Sequence, residues 1–240
     1  MNRDQTSIAL VTGGSRGIGY AVVEALLNEG WSVHFCSRSP ESVNRALEAL
    51  QPDHSDRIWG HTVDIRSQQA VDSLVAEVVS KSGRLDCLVN NAGLGRFGPV
   101  DSLTGDDWRL VMQTNLDGAF YALRAASRVM IEKGTGWIVN IASLAAKNPF
   151  AGGAAYNASK FGLLGLSEAA MLDLRHHGVR VTAILPGSVD TDFRPPSRRS
   201  DTGWMLTSED IAEAVLDVLR YPSRALPSRI ELRPSQPPRS

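Results

Sequence analysis

Six runs of consecutive apolar residues, at 8–11, 33–36, 58–63, 85–89, 137–141 and 179–185, alternate with longer segments whose apolar residues recur at helical period. A strand that is apolar on successive rather than alternate positions must be covered on both faces. Helices placed between such strands supply right-handed crossovers. The expected fold class is therefore α/β, a doubly wound parallel sheet with helices on both faces. A seventh strand is expected at 228–232, after a helix over 208–220 that opens on Ser208-Glu209-Asp210. The 240 residues suit one domain, and no internal repeat is visible. Two stretches break the pattern: 193–203, rich in Arg, Pro and Ser, reads as a short loop, and 234–240 as a polar, Pro-rich tail.

The charge balance narrows the partners. With 25 Lys+Arg against 26 Asp+Glu, no long-range field favours nucleic acid or an anionic membrane, which leaves a small molecule. Cys36 and Cys87 lie in apolar runs without metal-ligand spacing, as expected of free thiols in a reducing compartment, the cytoplasm. The N-terminus is polar and lacks the apolar core of a signal peptide. His176 and His177 stand near a helix end with no third ligand beside them, so no metal is expected.

The first strand runs into Thr12-Gly13-Gly14-Ser15-Arg16-Gly17-Ile18-Gly19, and a helical pattern begins inside that loop. Glycines let the backbone turn sharply and approach a pyrophosphate, while the amides at the helix start favour negative charge. The spacing Gly13, Gly17, Gly19 differs from the commoner dinucleotide fingerprint, so a related but distinct family is implied. Strand two ends at Cys36-Ser37-Arg38, where a carboxylate would hold a ribose 2′-hydroxyl. No acid stands there. Arg38, with Arg16, can instead clamp a 2′-phosphate, favouring NADP(H) over NAD(H), although two solvated arginines read the same way. Asp64, in Val63-Asp64-Ile65, is placed to accept from an adenine amino group or simply to open the next helix.

Tyr156 and Lys160 lie four residues apart, on one helix face. A unit charge about 5 Å from a phenol, at an effective dielectric near 20, is worth roughly 3 kcal/mol, enough to bring a pKa of about 10 toward about 8. The expectation is a tyrosine that exchanges protons near neutrality.

The glycine loop, Asn90-Asn91-Ala92-Gly93, Asn115, Ser143, Tyr156 with Lys160, and Pro186-Gly187-Ser188-Val189-Asp190-Thr191 stand in the order seen in the short-chain dehydrogenase/reductase family. The chain resembles that family over roughly residues 8–191, and within it most resembles the 3-oxoacyl-carrier-protein reductases. The resemblance implies a single Rossmann-like catalytic domain and an NADPH-dependent oxidoreductase, acting between a carbonyl compound and a secondary alcohol. It implies that Tyr156 is the acid/base, that Ser143 polarises the substrate oxygen, and that Lys160 lowers the Tyr156 pKa and holds the nicotinamide ribose. It further implies that Asn115 kinks its helix and holds a water that relays protons to the lysine. Gly13, Ser15, Arg16, Gly17, Ile18, Gly19, Ser37, Arg38, Asp64, Ile65, Asn91, Ala92, Gly93, Tyr156, Lys160, Pro186, Gly187, Val189 and Thr191 fall where the family contacts its cofactor. Asn90 braces the sheet.

Two departures from the family pattern bear on substrate and assembly. The chain ends in Ile230-Glu231-Leu232-Arg233-Pro234 rather than a Gly-Gly-bearing segment, and the loop after Thr191, which would carry substrate recognition, is short. Arg194, Arg198 and Arg199 make that loop basic, which suits an acidic carrier or plain solvation; Phe97, Trp204 and Met205 are candidate apolar walls or edge packing. Apolar residues wrap more than one face of the segment 150–176, so a second copy is expected to cover it, in a homodimer or homotetramer. The rival reading is a silent NADP-sensing protein of the same fold. Such a protein would be expected to lose the Tyr156/Lys160 pair, which this chain keeps.

Overall fold

Along β1 (Ile8–Thr12) every residue is buried. Ala9 and Val11 pack into one layer, and Ile8 and Leu10 into the other. That two-sided burial is what successive apolar residues require. The same division holds along β4 (Cys87–Asn90), where Cys87 and Val89 face the first layer and Leu88 the second.

The computed structural model describes residues 6–191, 193 and 202–238. After β1 come α1 (Gly17–Asn28), β2 (Ser32–Ser37), α2 (Pro40–His54), β3 (Ile58–Thr62) and α3 (Gln68–Ser82). Beyond β4, α4 (Gly105–Met112) passes through a π-helical turn at Gln113–Asp117 into α5 (Gly118–Lys133). Then follow β5 (Gly136–Ile141), α6 (Ala154–Leu174), β6 (Val179–Pro186), α7 (Ser208–Arg220) and β7 (Arg229–Leu232). The seven strands are parallel, in the order β3-β2-β1-β4-β5-β6-β7. Strand order reverses beside β1, which opens a crevice between the C-terminal ends of β1 and β4. In sheets of this kind ligands bind there.

Helix boundaries follow local chemistry. Ser39, Ser67, Thr104 and Thr207 each accept a backbone N–H at the start of α2, α3, α4 and α7, and at α7 Asp210 returns the bond to complete a capping box. The expected helix over 150–176 is shorter at both ends. Gly152 is left-handed (φ 74°) and the Gly153 amide closes a turn on Phe150, so α6 starts at Ala154. At the other end the chain tightens into a 3-10 turn at Arg175–His177, stopped by left-handed Gly178. β4 begins two residues later than the apolar run suggests, because Asp86 accepts from the Ile8 amide and pairs with Lys133 and Arg84 at the strand entrance. Arg194, Arg198 and Arg199 lie outside the described residues.

Candidate active site

The loop between β1 and α1 fits a phosphate group closely. Gly17 has φ of 54°, and a Cβ on Gly19 would stand 2.2 Å from the Gly13 carbonyl and 2.4 Å from the Asn91 amide. No larger residue fits there. No side chain caps α1, in contrast to α2, α3, α4 and α7, so its first amides keep their capacity for an anion.

This loop is braced by the segment after β4. Asn91 Nδ2 donates to the carbonyls of Thr12 and Gly13, both at 3.1 Å, while Thr12 Oγ1 accepts from the amides of Asn91 and Ala92. Asn90 braces the sheet instead: its Nδ2 donates to Asn140 Oδ1 at 2.9 Å and to the Ala119 carbonyl. The segment after β6 joins the same place, since the Thr191 side chain lies 3.6 Å from where a Gly17 Cβ would be. Val189 and Asp190 are held by a short parallel bridge to Leu206, and Gly187 donates to the Leu232 carbonyl beyond Pro186. The structure thus gathers Gly13, Gly17, Gly19, Asn91, Ala92 and Thr191 around one crevice, with Ser15, Arg16 and Gly93 adjoining them in the chain, while Gly187 packs on Leu144, Leu232 and Pro234. Ile18 and Ile65 differ, for Ile18 packs on the core below α1 and the buried Ile65 side chain sits against Gly118. Ile65 therefore has only its backbone left to face a ligand, whereas Ile18 keeps part of its side chain at the surface.

At the far end of the crevice Arg16 and Arg38 are exposed, and neither forms an ion pair with a described residue. Ser37 ends β2, its carbonyl taken by the Val63 amide. Asp64 is already engaged: Arg66 Nε lies 2.9 and 3.0 Å from its two oxygens, and the Arg66 amide donates to Oδ1. The Arg66 side-chain bonds, with Arg38 adding to the field, hold the Asp64 carboxyl below its usual range. Arg66 was not singled out from sequence, although its place two residues after Asp64 was visible there.

The proton-handling groups meet beyond β5. Ser143 follows that strand, accepts from the Ala145 amide through Oγ at 3.1 Å, and has its side chain near enough to the Tyr156 phenol to favour the charged form of that group. Lys160 is buried (5% exposed), and its Nζ donates to the Ile141 carbonyl at 2.9 Å. An ammonium carries three donors, so two remain for other acceptors. Burial brings the Lys160 pKa down to about 8. The expected lowering of the Tyr156 pKa by Lys160 is opposed here by burial. Burial raises the phenol above its ordinary value, Ser143 pulls the other way, and the Lys160 ammonium sits 5.8 Å from the ring centroid with one donor on a carbonyl.

Asn115 lies within the π-helical turn and is 1% exposed. Its Nδ2 donates to the Leu94 carbonyl (2.9 Å) and to Ser159 Oγ (3.0 Å), and its Oδ1 accepts from the Leu94 amide (2.8 Å). Both amide hydrogens are consumed. A water held by this side chain would have only the remaining Oδ1 lone pair to bind. Ser159, which donates onward to the Tyr156 carbonyl, is a member that sequence reasoning missed, although it stands inside the Tyr156–Lys160 run.

These features belong to a known class of protein. Residues 7–202 match the short chain dehydrogenase family, an oxidoreductase family, and the chain belongs to it. It is 32% identical over 238 residues to an NADP-dependent 3-hydroxy acid dehydrogenase of Escherichia coli O6:H1, covering 95% of this chain and 94% of the relative. Among solved structures, a metagenomic short-chain oxidoreductase in complex with NADP superposes with a TM-score of 0.84 at 34% identity, over 97% of this chain and 99% of the other. Actinorhodin polyketide ketoreductase with NADPH superposes with a TM-score of 0.87 at 31% identity, over 95% and 96% of the two chains.

Proposed function

We propose that the protein is an NADPH-dependent reductase of ketone or aldehyde carbonyls, reversible as an alcohol dehydrogenase, with Tyr156 as its acid/base. The observation that carries this reading is the Ser143 side chain beside the Tyr156 phenol, with a buried lysine one helical turn on that spends one of its three donors on the Ile141 carbonyl. The glycine loop, Asn91, Thr191 and Lys160 would hold the cofactor, and Arg16 and Arg38 its 2′-phosphate. When bound, the nicotinamide supplies the hydride, and with it the two electrons, that reduces the carbonyl carbon.

Ser143 and Tyr156 both present hydroxyls to the place where the carbonyl oxygen gains charge, so they stabilise the transition state more than the ground state. Tyr156 breaks its O–H bond as the new O–H bond of the alcohol forms. The resulting phenolate is stabilised by the Ser143 hydroxyl and the Lys160 ammonium, and solvent returns the proton. In the reverse direction the phenolate takes the alcohol proton. Lys160 acts on the tyrosine through that charged form, opposing the burial that disfavours it.

Tyr156→Phe tests the reading. The variant should bind NADPH as the parent does, yet reduce carbonyl compounds about 10²- to 10⁴-fold more slowly, the usual range for a lost general acid. Parent-like turnover would remove Tyr156 from that role.

The assembly proposed is a homodimer or homotetramer built on α5 and α6, where Phe120, Phe161 and Leu172 are exposed. Sedimentation of Phe161→Arg should show a smaller species than the parent; a parent that is itself monomeric would dismiss the interface. No helix among the described residues is long and apolar enough to cross a membrane. The two buried free thiols, Cys36 and Cys87, favour a reducing compartment, the cytoplasm.

A further inference from the structure

Three phenylalanines close around the Tyr156 ring, each brought by a different strand end. Phe97 follows β4, Phe150 follows β5 and Phe193 follows β6. Ring centroids lie 5.7 Å apart for Phe97 and Tyr156, 5.5 Å for Phe193 and Tyr156, and 6.4 Å for Phe150 and Tyr156. The phenylalanines also meet one another, Phe97 lying 6.0 Å from Phe150 and 6.1 Å from Phe193.

The cluster is held in place. The Gly98 amide donates to the Gly152 carbonyl, tying the loop of Phe97 to that of Phe150. A Cβ on Gly95 would stand 2.4 Å from Phe97 Cζ and 3.0 Å from Phe193 Cζ, so the absent side chain is the space those rings occupy. Yet Phe97, Phe150 and Phe193 remain 50%, 47% and 43% exposed. A contiguous patch of half-exposed rings against the Tyr156 ring is apolar surface suited to a ligand.

The chemistry of that ligand follows from what the patch offers. Its rings stand tilted or edge-on, at interplanar angles of 44° to 70°, so a planar ring laid among them finds both face and edge partners. The described cations nearest along the chain are taken, Arg96 by Asp107 and Lys147 by Glu231, and offer little to an anionic tail. Because the rings contact Tyr156 itself, a substrate ring seated on them can reach the phenol only if the carbonyl is bonded to it directly or fused to it.

Resting on the reductase reading above, we propose that Phe97, Phe150 and Phe193 form a specificity wall selecting aryl ketones, compounds whose carbonyl is attached to an aromatic ring. The wall positions the ring and leaves proton transfer to Tyr156.

The test follows NADPH oxidation with acetophenone and with cyclohexyl methyl ketone, which match in size and differ in aromaticity. Intrinsic reactivity cancels when the ratio of their kcat/KM values is compared between the parent and the variants Phe97→Leu and Phe193→Leu. Each variant should lower the acetophenone preference by about threefold to tenfold, the worth of one ring–ring contact, and chiefly through KM. NADPH affinity, measured by fluorescence, should stay at the parent value and so reports folding. A ratio unmoved in both variants overturns the wall. Turnover of other carbonyl compounds with neither ketone accepted also overturns it, while leaving the reductase reading standing. NADPH binding with no carbonyl compound reduced overturns both.

Discussion

Two clusters of buried polar groups in this fold contrast sharply. At the C-terminal ends of the strands, Asn115 links Leu94 to Ser159, and Ser159 links to the backbone of Tyr156. On the β2–β3 flank, beneath α3, His34 Nδ1 lies 2.9 Å from His61 Nε2, His34 Nε2 lies 2.9 Å from Ser82 Oγ, and His61 Nδ1 faces Glu77 at 3.5 Å. The first cluster is made of amides and hydroxyls, which keep one protonation state across ordinary pH. The second is made of groups that titrate. The segment around Asn115 is held by neutral donors, whereas the β2–β3 flank tolerates histidines whose charged forms burial opposes.

The largest effect is expected from breaking the neutral cluster. Asn115→Ala leaves the half-buried Leu94 amide and carbonyl without this partner and strips the Ser159 hydroxyl of the donor it accepts from, leaving only its bond to the Tyr156 carbonyl. Each unmet group costs about 1–3 kcal/mol, so a loss on the order of 3 kcal/mol or more is expected. For a chain of this size that lowers Tm by on the order of 10 °C. Turnover should fall as well, because Ser159 sits one residue from Lys160. Thermal unfolding checks the first claim, and a Tm within about two degrees of the parent would show that the contacts are replaceable.

The difference between the clusters also explains what could be read in advance. Tyr156 with Lys160, the glycine loop and the seven strands are local patterns, set by spacing along one element or by successive apolar residues. The role of Asn115 is not local. Its partners are Leu94 and Ser159, distant in sequence, and only the π-helical turn aims the amide at both. His34 was unreadable for the same reason, since within an apolar strand nothing marks His61 and Ser82 as its neighbours. Phe150 and Phe193 gave no signal because loop paths decide which aromatic rings meet. For Tyr156, helical spacing places Lys160 near the phenol but says nothing of burial, which disfavours the phenolate, or of the Ile141 carbonyl that takes one ammonium donor.

The histidine cluster should show itself through pH. Burial, His61 and the Lys81 cation bring His34 from its ordinary 6.5 down to about 3, and burial also lowers His61, against the raising effect of Glu77. Around the pair, α3 contributes Glu77, Lys81 and Ser82, and β3 contributes Trp59 stacked on His34. Between those pKa values the unfolded chain binds more protons than the folded one. The cluster's contribution is therefore complete above the ordinary histidine pKa and is lost as pH falls below it, by up to about 1.4 kcal/mol per pH unit for each histidine. Denaturant unfolding at about pH 8 and about pH 5 should differ by about 2 kcal/mol more in the parent than in a His34→Leu, His61→Leu double variant. Equal differences would mean that the flank opens to accept protons without unfolding.

The smallest effect concerns charge that neither cluster encloses. Arg38 is exposed at the end of β2, with Asp64 close enough for its cation to add to the field on that carboxyl and Arg66 already clamped there. Because the guanidinium is solvated, its loss should leave Tm unchanged, unlike that of Asn115. What it offers is a planar donor fork suited to a phosphate, of a kind the buried clusters lack. Arg38→Ala should therefore weaken NADPH binding by about tenfold and leave NADH binding nearly unchanged, since one charge-assisted contact is worth about that much. Titration of both cofactors by fluorescence measures it. Equal weakening of the two would move Arg38 from the phosphate to the shared part of the cofactor, and equal affinities in the parent would remove the proposed preference for NADPH.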